Sequence, residues 1–195
     1  MLSFILFATV ASITPGPTNL LVLSHSARHG WRAALPIILG GCLGAAGIVL
    51  ATGTGLGQTL LGLPLLQNAM AALGLGWLTW LAWKLFSAPP QALNAEATAR
   101  LGFWGALALQ VVNPKTWMMA LATVSVFAAH HPSPALRVAQ LALVFFVVSL
   151  PCLGCWAALG AGSARWLGSA RAVQRMNQLL AILLLISSWA AVLRT

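Results

Sequence analysis

Long apolar runs that are almost free of charge dominate this chain and limit what it can fold into. Of its 195 residues, 60% are hydrophobic and only 6% are charged, whereas soluble domains carry roughly 25% charged residues. Several runs exceed the roughly 18 apolar residues that mark a membrane-spanning helix. A soluble core of this size has no room for so much apolar surface, so the sequence predicts an integral membrane protein.

The apolar runs predict an all-α protein with six membrane-spanning helices, since a helix satisfies its own backbone groups in hydrocarbon. The predicted spans are residues 2–25, 34–57, 62–86, 102–128, 135–161 and 174–193. We predict one transmembrane domain, residues 1–195, with a first half of about 1–88 and a second of about 100–195. The cytoplasmic linker of about 87–101 contains the only acid, Glu96.

The positions of Lys and Arg predict the orientation. Under the positive-inside rule the more basic side faces the cytoplasm, which places both termini outside. The first run has no basic residue ahead of it, unlike a cleavable secretory signal, so we expect it to remain as a span. The charges are scattered between spans rather than clustered on one face, which argues against nucleic-acid binding. Seven lie on one side, at Arg28, Arg32, Lys84, Arg100, Arg165, Arg171 and Arg175, and two on the other, at Arg137 and Arg194.

Two of the predicted spans are interrupted by proline at a similar depth. The first contains "SITPGPTNLL", with Pro15 and Pro17, and the fourth contains "QVVNPKTW", with Pro114. Each proline removes a backbone donor and frees a carbonyl four residues earlier. Interrupted helices at matching positions of two three-helix halves are typical of inverted-repeat transporters with a site near the midplane. The alternative is that these prolines only kink ordinary spans.

The second break also carries Lys115 inside an apolar run. A lysine at mid-bilayer costs about 2.5–3.5 kcal/mol on insertion scales, and no predicted span contains an acid to pair with it. Its partner must therefore be a carbonyl end, water or a bound anion, unless the side chain extends to an interface. Helix N-termini beside the breaks favour a carboxylate. The predicted substrate site comprises Thr14, Pro15, Gly16, Pro17, Thr18, Asn19, Asn113, Pro114 and Lys115.

The motif "TPGPTNLLVLSHSARHGW" together with "NPKTW" at the head of the second half resembles the LysE/RhtB-type amino-acid exporters of bacteria. The resemblance covers the whole chain and implies a secondary exporter in the inner membrane. It implies that amino acids or small derivatives leave the cytoplasm, driven by the proton gradient. It also implies roles for Pro15, Gly16, Pro17 and Asn19 in the first motif and for Asn113, Pro114 and Lys115 in the second. Some relatives carry an intramembrane acid for proton coupling, and this chain has none.

Other residues leave further hypotheses open. His25 and His29 lie four apart on one helix face and are candidates for proton coupling. "PCLGC" places Cys152 and Cys155 at CxxC spacing, and Cys42 lies in the second span, so a membrane thiol–disulfide carrier or a metal-ion exporter is the alternative function.

No enzyme motif occurs, and we expect neither a cofactor nor a metal site. A channel remains open because broken helices also line pores.

Small residues recur at a spacing of four, at Gly40 and Gly44 and again at Gly154, Ala158 and Gly162. This spacing lets helix backbones approach closely. Packing within the bundle is the favoured interpretation, although the same faces are compatible with a homo-oligomer.

Overall fold

The computed structural model describes residues 1–56, 102–128 and 133–163, together with isolated positions between residues 65 and 87 and between 174 and 189. The predicted third and sixth spans and the linker at about 87–101 therefore lie largely outside the described residues. All regular structure in the described part of the chain is helical. The apolar composition and the absence of alternating polar residues favour this result, because helices bury backbone polar groups without a neighbouring strand.

The first predicted span is two helices with a sharp bend between them. Helix α1 runs from Leu2 to Ile13, and helix α2 runs from Pro17 to His29. The bend of 57° follows from the sequence, because Pro15 and Pro17 cannot donate the backbone hydrogen bonds that would continue α1. Pro17 occupies the first position of α2, where the missing N–H is not needed.

The second predicted span is one long apolar helix. A 3-10 turn, Trp31–Ala34, leads into helix α3, Leu35–Ala51, which continues into a π-helical turn, Thr52–Leu56. The whole stretch Trp31–Gly55 is long and apolar enough to cross a membrane.

The later described helices repeat this order of a broken and then a continuous helix. Helix α4, Phe103–Val112, ends at Asn113, and helix α5 follows at once as Pro114–Phe127. Helix α6, Pro134–Ser163, is also long and apolar enough to cross a membrane and contains Pro151. The described residues therefore hold two membrane-capable helices, or three if the bent α1–α2 pair is one span.

The two continuous helices organise the packing. Helix α6 contacts α1, α2 and α3, while α3 contacts α4 and α5. Phe4, Leu141 and Phe145 form a buried cluster between α1 and α6, and Ile37 and Cys42 belong to a second cluster on α3. The broken span α1–α2 thereby packs mainly on α6, and the broken span α4–α5 packs mainly on α3.

Small residues permit the closest of these contacts. A Cβ atom at Gly40 would collide with the backbone of Phe103, and one at Gly44 would lie 2.7 Å from Cγ of Gln110. The Gly40-x3-Gly44 spacing thus brings α3 against α4, as expected for small residues. The packing prediction for Gly154 and Gly162 stays a prediction, since among the described residues neither has a neighbour within 4 Å of an added Cβ. Gly160 makes the close approach to α2 instead.

Candidate functional site

The break between α1 and α2 frees carbonyl groups at the C-terminal end of α1, and side chains from three other helices bind them. Proline is one reason why a carbonyl is free here, since Pro17 has no N–H to donate to the carbonyl of Ile13, four residues earlier. The bonds are Asn19 Nδ2 to Ser12 O (2.8 Å), Trp156 Nε1 to Ile13 O (3.1 Å) and Lys115 Nζ to Thr14 O (2.5 Å). The end of α1 is therefore tied to α2, α5 and α6.

The break between α4 and α5 is closed by the side chain of Asn113. Its Oδ1 accepts the backbone N–H of Lys115 at 3.2 Å, which is the usual N-cap bond for a helix that begins with Pro114. The Val111 carbonyl, left without its backbone donor, accepts Nε1 of Trp117 at 2.7 Å. The N-terminal turn of α5 is thereby fixed beside the end of α1.

Gln110 joins the two breaks. It is only 2% exposed, and its Nε2 donates to Thr18 Oγ1 (3.0 Å) and to Ala106 O (3.1 Å). Its Oε1 accepts Thr116 Oγ1 (2.8 Å) and Asn113 Nδ2 (3.4 Å). An amide has two donors and two acceptor positions, so all four are used within the protein. The amide orientation is thus fixed, and the first turns of α2 and α5 are held together.

A cavity of about 50 Å³ lies where the broken spans meet α3 and α6. Lys115 is the one charged residue among those that line it in the described part of the chain. The polar lining consists of Ser12, Thr18, Asn19, Gln110, Asn113, Lys115, Thr116 and Ser149, and the apolar lining consists of Ala11, Gly41, Cys42, Ala45, Met119, Phe145 and Leu153. The cavity therefore has one cationic wall, several neutral polar groups and an apolar side.

Some of the predicted site residues line this cavity, and others do not. Thr18, Asn19, Asn113 and Lys115 line it. The other five predicted residues do not line the cavity. Thr14 is exposed and contributes its carbonyl to Lys115, Gly16 is buried, and Pro15, Pro17 and Pro114 shape the backbone at the two breaks.

Gly16 provides the space through which the Lys115 side chain passes. An added Cβ at Gly16 would lie 2.9 Å from Lys115 Cδ and 3.1 Å from Nζ, closer than ordinary van der Waals contact. The glycine in "TPGP" therefore serves a steric purpose here. Its φ of −163° is extended and is open to any residue.

His25 and His29 lie at the other end of α2, with ring centroids 4.7 Å apart. At 1.5 Å per residue, His25 is roughly 9 Å along the helix from Asn19. The pair does not line the cavity.

Sequence reasoning missed Gln110, Ser12, Ser149 and Trp156 as side chains of the site. One signal was available for the first three, since each is a hydrogen-bonding side chain inside a predicted apolar span. Their partners lie up to 143 positions away along the chain, as in the bond between Trp156 and Ile13. No local pattern encodes such a pairing.

Comparison with known proteins identifies the family to which the chain belongs. The LysE type translocator family matches residues 9–193, and the chain belongs to that family. Cysteine/O-acetylserine efflux proteins of Escherichia coli (strain K12) and Salmonella typhimurium are each 27% identical to it over 159 residues. These alignments cover 81% of this chain and 80% of each relative. No solved structure gives a significant match.

Proposed function

We propose that this chain is a secondary exporter of amino acids whose side chain is short and uncharged. The observation that carries the proposal is the position of Lys115 in a cavity formed by the two broken spans. The family match and the printed function of the relatives support amino-acid export. As a protein of several apolar helices, it would act in the bacterial inner membrane, with lipid around it and a small-molecule substrate within it.

The carboxylate of the substrate would bind at Lys115. Its ammonium is held by one backbone carbonyl, Thr14 O, and no carboxylate of a described residue neutralises it. The first-turn N–H groups of Thr18 and Asn19 have no acceptor within α2. The N-terminus of α2 is thus a second element that favours an anion beside the lysine. Together these groups suit a carboxylate, and Asn113 holds the second helix start in place.

The volume and lining of the cavity support a short side chain. One water needs about 10–15 Å³ of such space, so a cavity of about 50 Å³ corresponds to roughly four waters. Cys42, Met119 and Phe145 form the apolar side. A basic side chain would add a further cation near Lys115 in a chain with a single acid, Glu96. Lysine and arginine are therefore unsuitable substrates on electrostatic grounds.

We also propose that the chain forms six spans in two inverted halves, of about residues 1–88 and 100–195. Reciprocal packing supports this: the broken span α1–α2 packs on α6 of the second half, and the broken span α4–α5 packs on α3 of the first. The breaks follow helices of similar length, with 12 residues in α1 and 10 in α4. The distribution of basic residues would place both termini outside and the linker at about 87–101 inside.

Transport would proceed by alternating access, with one half moving against the other around the cavity. The bond between Lys115 and the Thr14 carbonyl joins the start of α5 to the end of α1. A substrate carboxylate competes with that carbonyl for the same ammonium, so substrate binding would release this link. His25 and His29 remain our proposal for proton coupling at the cytoplasmic end of α2, in the absence of an intramembrane acid.

The test is export-direction uptake into inside-out membrane vesicles, with radiolabelled O-acetyl-L-serine and L-cysteine as probes. We expect energy-dependent uptake by the wild type that a proton uncoupler abolishes. We expect Lys115→Met to lose at least nine-tenths of the uptake, since the methionine keeps the apolar stem and removes the ammonium that binds the carboxylate. Equal uptake by the wild type and this variant, at matched protein amounts, would refute the site.

A thiol–disulfide carrier remains the second candidate, because Cys42 lines the cavity. Cys42, Cys152 and Cys155 are all free thiols in the structure. A variant with Ala at these three positions separates the functions: full uptake would exclude the redox function, and loss of uptake with a normal amount of folded protein would favour it.

A further inference from the structure

Two serine hydroxyls from helices that are distant in the sequence contact each other in the wall of the cavity. Ser12 is in the last turn of α1, and Ser149 is in the middle of α6, where it is buried. Their oxygens are 3.0 Å apart, and both residues line the cavity. Ser12 is the first residue of "SITPGPTNLL", whereas Ser149 belongs to neither proline motif.

The hydroxyl protons of this pair can be assigned from the hydrogen bonds. Ser149 Oγ donates its one proton to the carbonyl of Phe145 at 2.7 Å. The proton shared between the two serines must therefore come from Ser12, which donates to Ser149. No described residue donates to Ser12 Oγ, so this oxygen keeps its acceptor capacity.

Asn19 adds a second acceptor on the same side of the cavity. Its Nδ2 donates to the carbonyl of Ser12 at 2.8 Å, which turns its Oδ1 away from that bond. No hydrogen bond of the described residues uses Oδ1 of Asn19. Ser12 lies in the last turn of α1, an end of the helix dipole that favours a cation, and the Asn19 side chain is bonded to that end.

We propose that Ser12 Oγ and Asn19 Oδ1 form the subsite for the substrate's α-ammonium, with Ser149 as the positioning residue that fixes the Ser12 proton. The proposal rests on the proposed function and deepens it. An ammonium has three N–H donors, and the two side-chain oxygens accept two of them. The break in the first span then binds a zwitterion at both ends: the end of α1 takes the ammonium, and the start of α2 with Lys115 takes the carboxylate. In this structure the ammonium of Lys115 binds the end of α1, at Thr14 O. When substrate binds, its α-ammonium would take the place of the Lys115 ammonium at that helix end.

The experiment compares two isomeric probes in inside-out vesicles. O-acetyl-L-serine has a free α-ammonium, whereas N-acetyl-L-serine has the same atoms but a neutral amide at that position. We expect the wild type to prefer the O-acetyl isomer in kcat/KM. Ser12→Ala should lower this preference on the order of tenfold through the KM of the O-acetyl isomer alone, as for a hydrogen bond to a charged group.

Ser149→Ala should lower the preference less, because the Ser12 oxygen remains but its proton is no longer fixed. The ratio of two probes in one sample does not depend on how much protein folds, so either variant is sufficient for the test. Ser163→Ala is the matched control, because Ser163 lies on the same helix roughly 21 Å away and donates to the Gly160 carbonyl. It should leave the ratio unchanged.

Three outcomes would overturn the proposal at different levels. If the wild type transports neither isomer, the proposed function itself fails. If it transports both isomers equally, amino-acid export stands but ammonium recognition does not. If the wild type discriminates and both Ser12→Ala and Ser149→Ala keep the full ratio, the subsite lies elsewhere.

Discussion

At the scale of single residues, Gln110 is the side chain on which the geometry of the site depends most. It is buried, and each of its donor and acceptor positions is used. In the sequence, Gln110 stands out only because it lies four residues before Pro114, which frees its backbone carbonyl. The side chain holds Thr18 of the first break against Thr116 and Asn113 of the second. A polar group inside an apolar bundle is costly when left unpaired. Removing the Gln110 side chain should therefore lower the free energy of unfolding by more than the contribution of one hydrogen bond.

We therefore predict that Gln110→Met lowers the midpoint of thermal unfolding of the purified protein in detergent. The loss arises because Thr116 Oγ1, Asn113 Nδ2 and Thr18 Oγ1 lose a buried partner, at about 1–3 kcal/mol for each group left unsatisfied. The double variant Gln110→Met/Thr116→Val should be less destabilised than the sum of the two single variants, because it removes both sides of one bond. Strict additivity in this cycle would contradict the coupling.

At the scale of helices, each proline break is stabilised by an indole group. Trp156 of α6 donates to Ile13 O at the first break, and Trp117 of α5 donates to Val111 O at the second. The prolines determine that carbonyls are freed, and packing determines which side chains reach them. The indole N–H is a suitable donor because it lies on a large apolar ring that is itself compatible with the bundle.

We predict that Trp156→Phe destabilises the protein, since the phenyl ring keeps most of the packing but leaves the Ile13 carbonyl without its donor. The expected loss is about 1–3 kcal/mol, measured as a lower midpoint of thermal unfolding. Trp104→Phe is the control, because Trp104 is 77% exposed. An equal midpoint for the Trp156 variant and this control would show that the Ile13 bond does not stabilise the fold.

At the scale of the whole molecule, charge distribution and packing order lead to the same proposed architecture. Basic residues concentrate on one side of the predicted spans, and each broken span packs on the continuous helix of the opposite half. An odd number of spans in each half inverts the second half relative to the first. In the proposed architecture such an inversion would bring the two breaks to the same depth, where one cavity can contact both.

We predict that reporters fused to either terminus lie outside the cytoplasm, because seven of the basic residues would otherwise face outward against the positive-inside rule. Alkaline phosphatase fused at residue 1 or 195 should be active, and green fluorescent protein at residue 195 should be dark. Fusion after Asn94, in the linker, is the internal control and should give the reverse. A fluorescent fusion at residue 195 would contradict the proposed orientation.

Local chemistry determined much of this protein from the sequence alone. The lack of charge requires helices that satisfy their own backbone groups, and the described residues are helical. Pro15, Pro17 and Pro114 lie where helices are interrupted, since proline has no N–H to continue a helix, although α6 continues through Pro151. The interruptions are accordingly observed between Ile13 and Pro17 and at Asn113.

Only the tertiary structure decided which groups satisfy the freed backbone and which face the cavity. The carbonyl of Ile13 is bound by Trp156, and Ser12 meets Ser149, both partners coming from α6. Lys115 reaches Thr14 across a separation of 101 positions. Proline acts on its own helix, whereas a hydrogen bond across the bundle depends on how distant helices pack. The breaks were therefore predictable from the sequence, and the polar network between them was not.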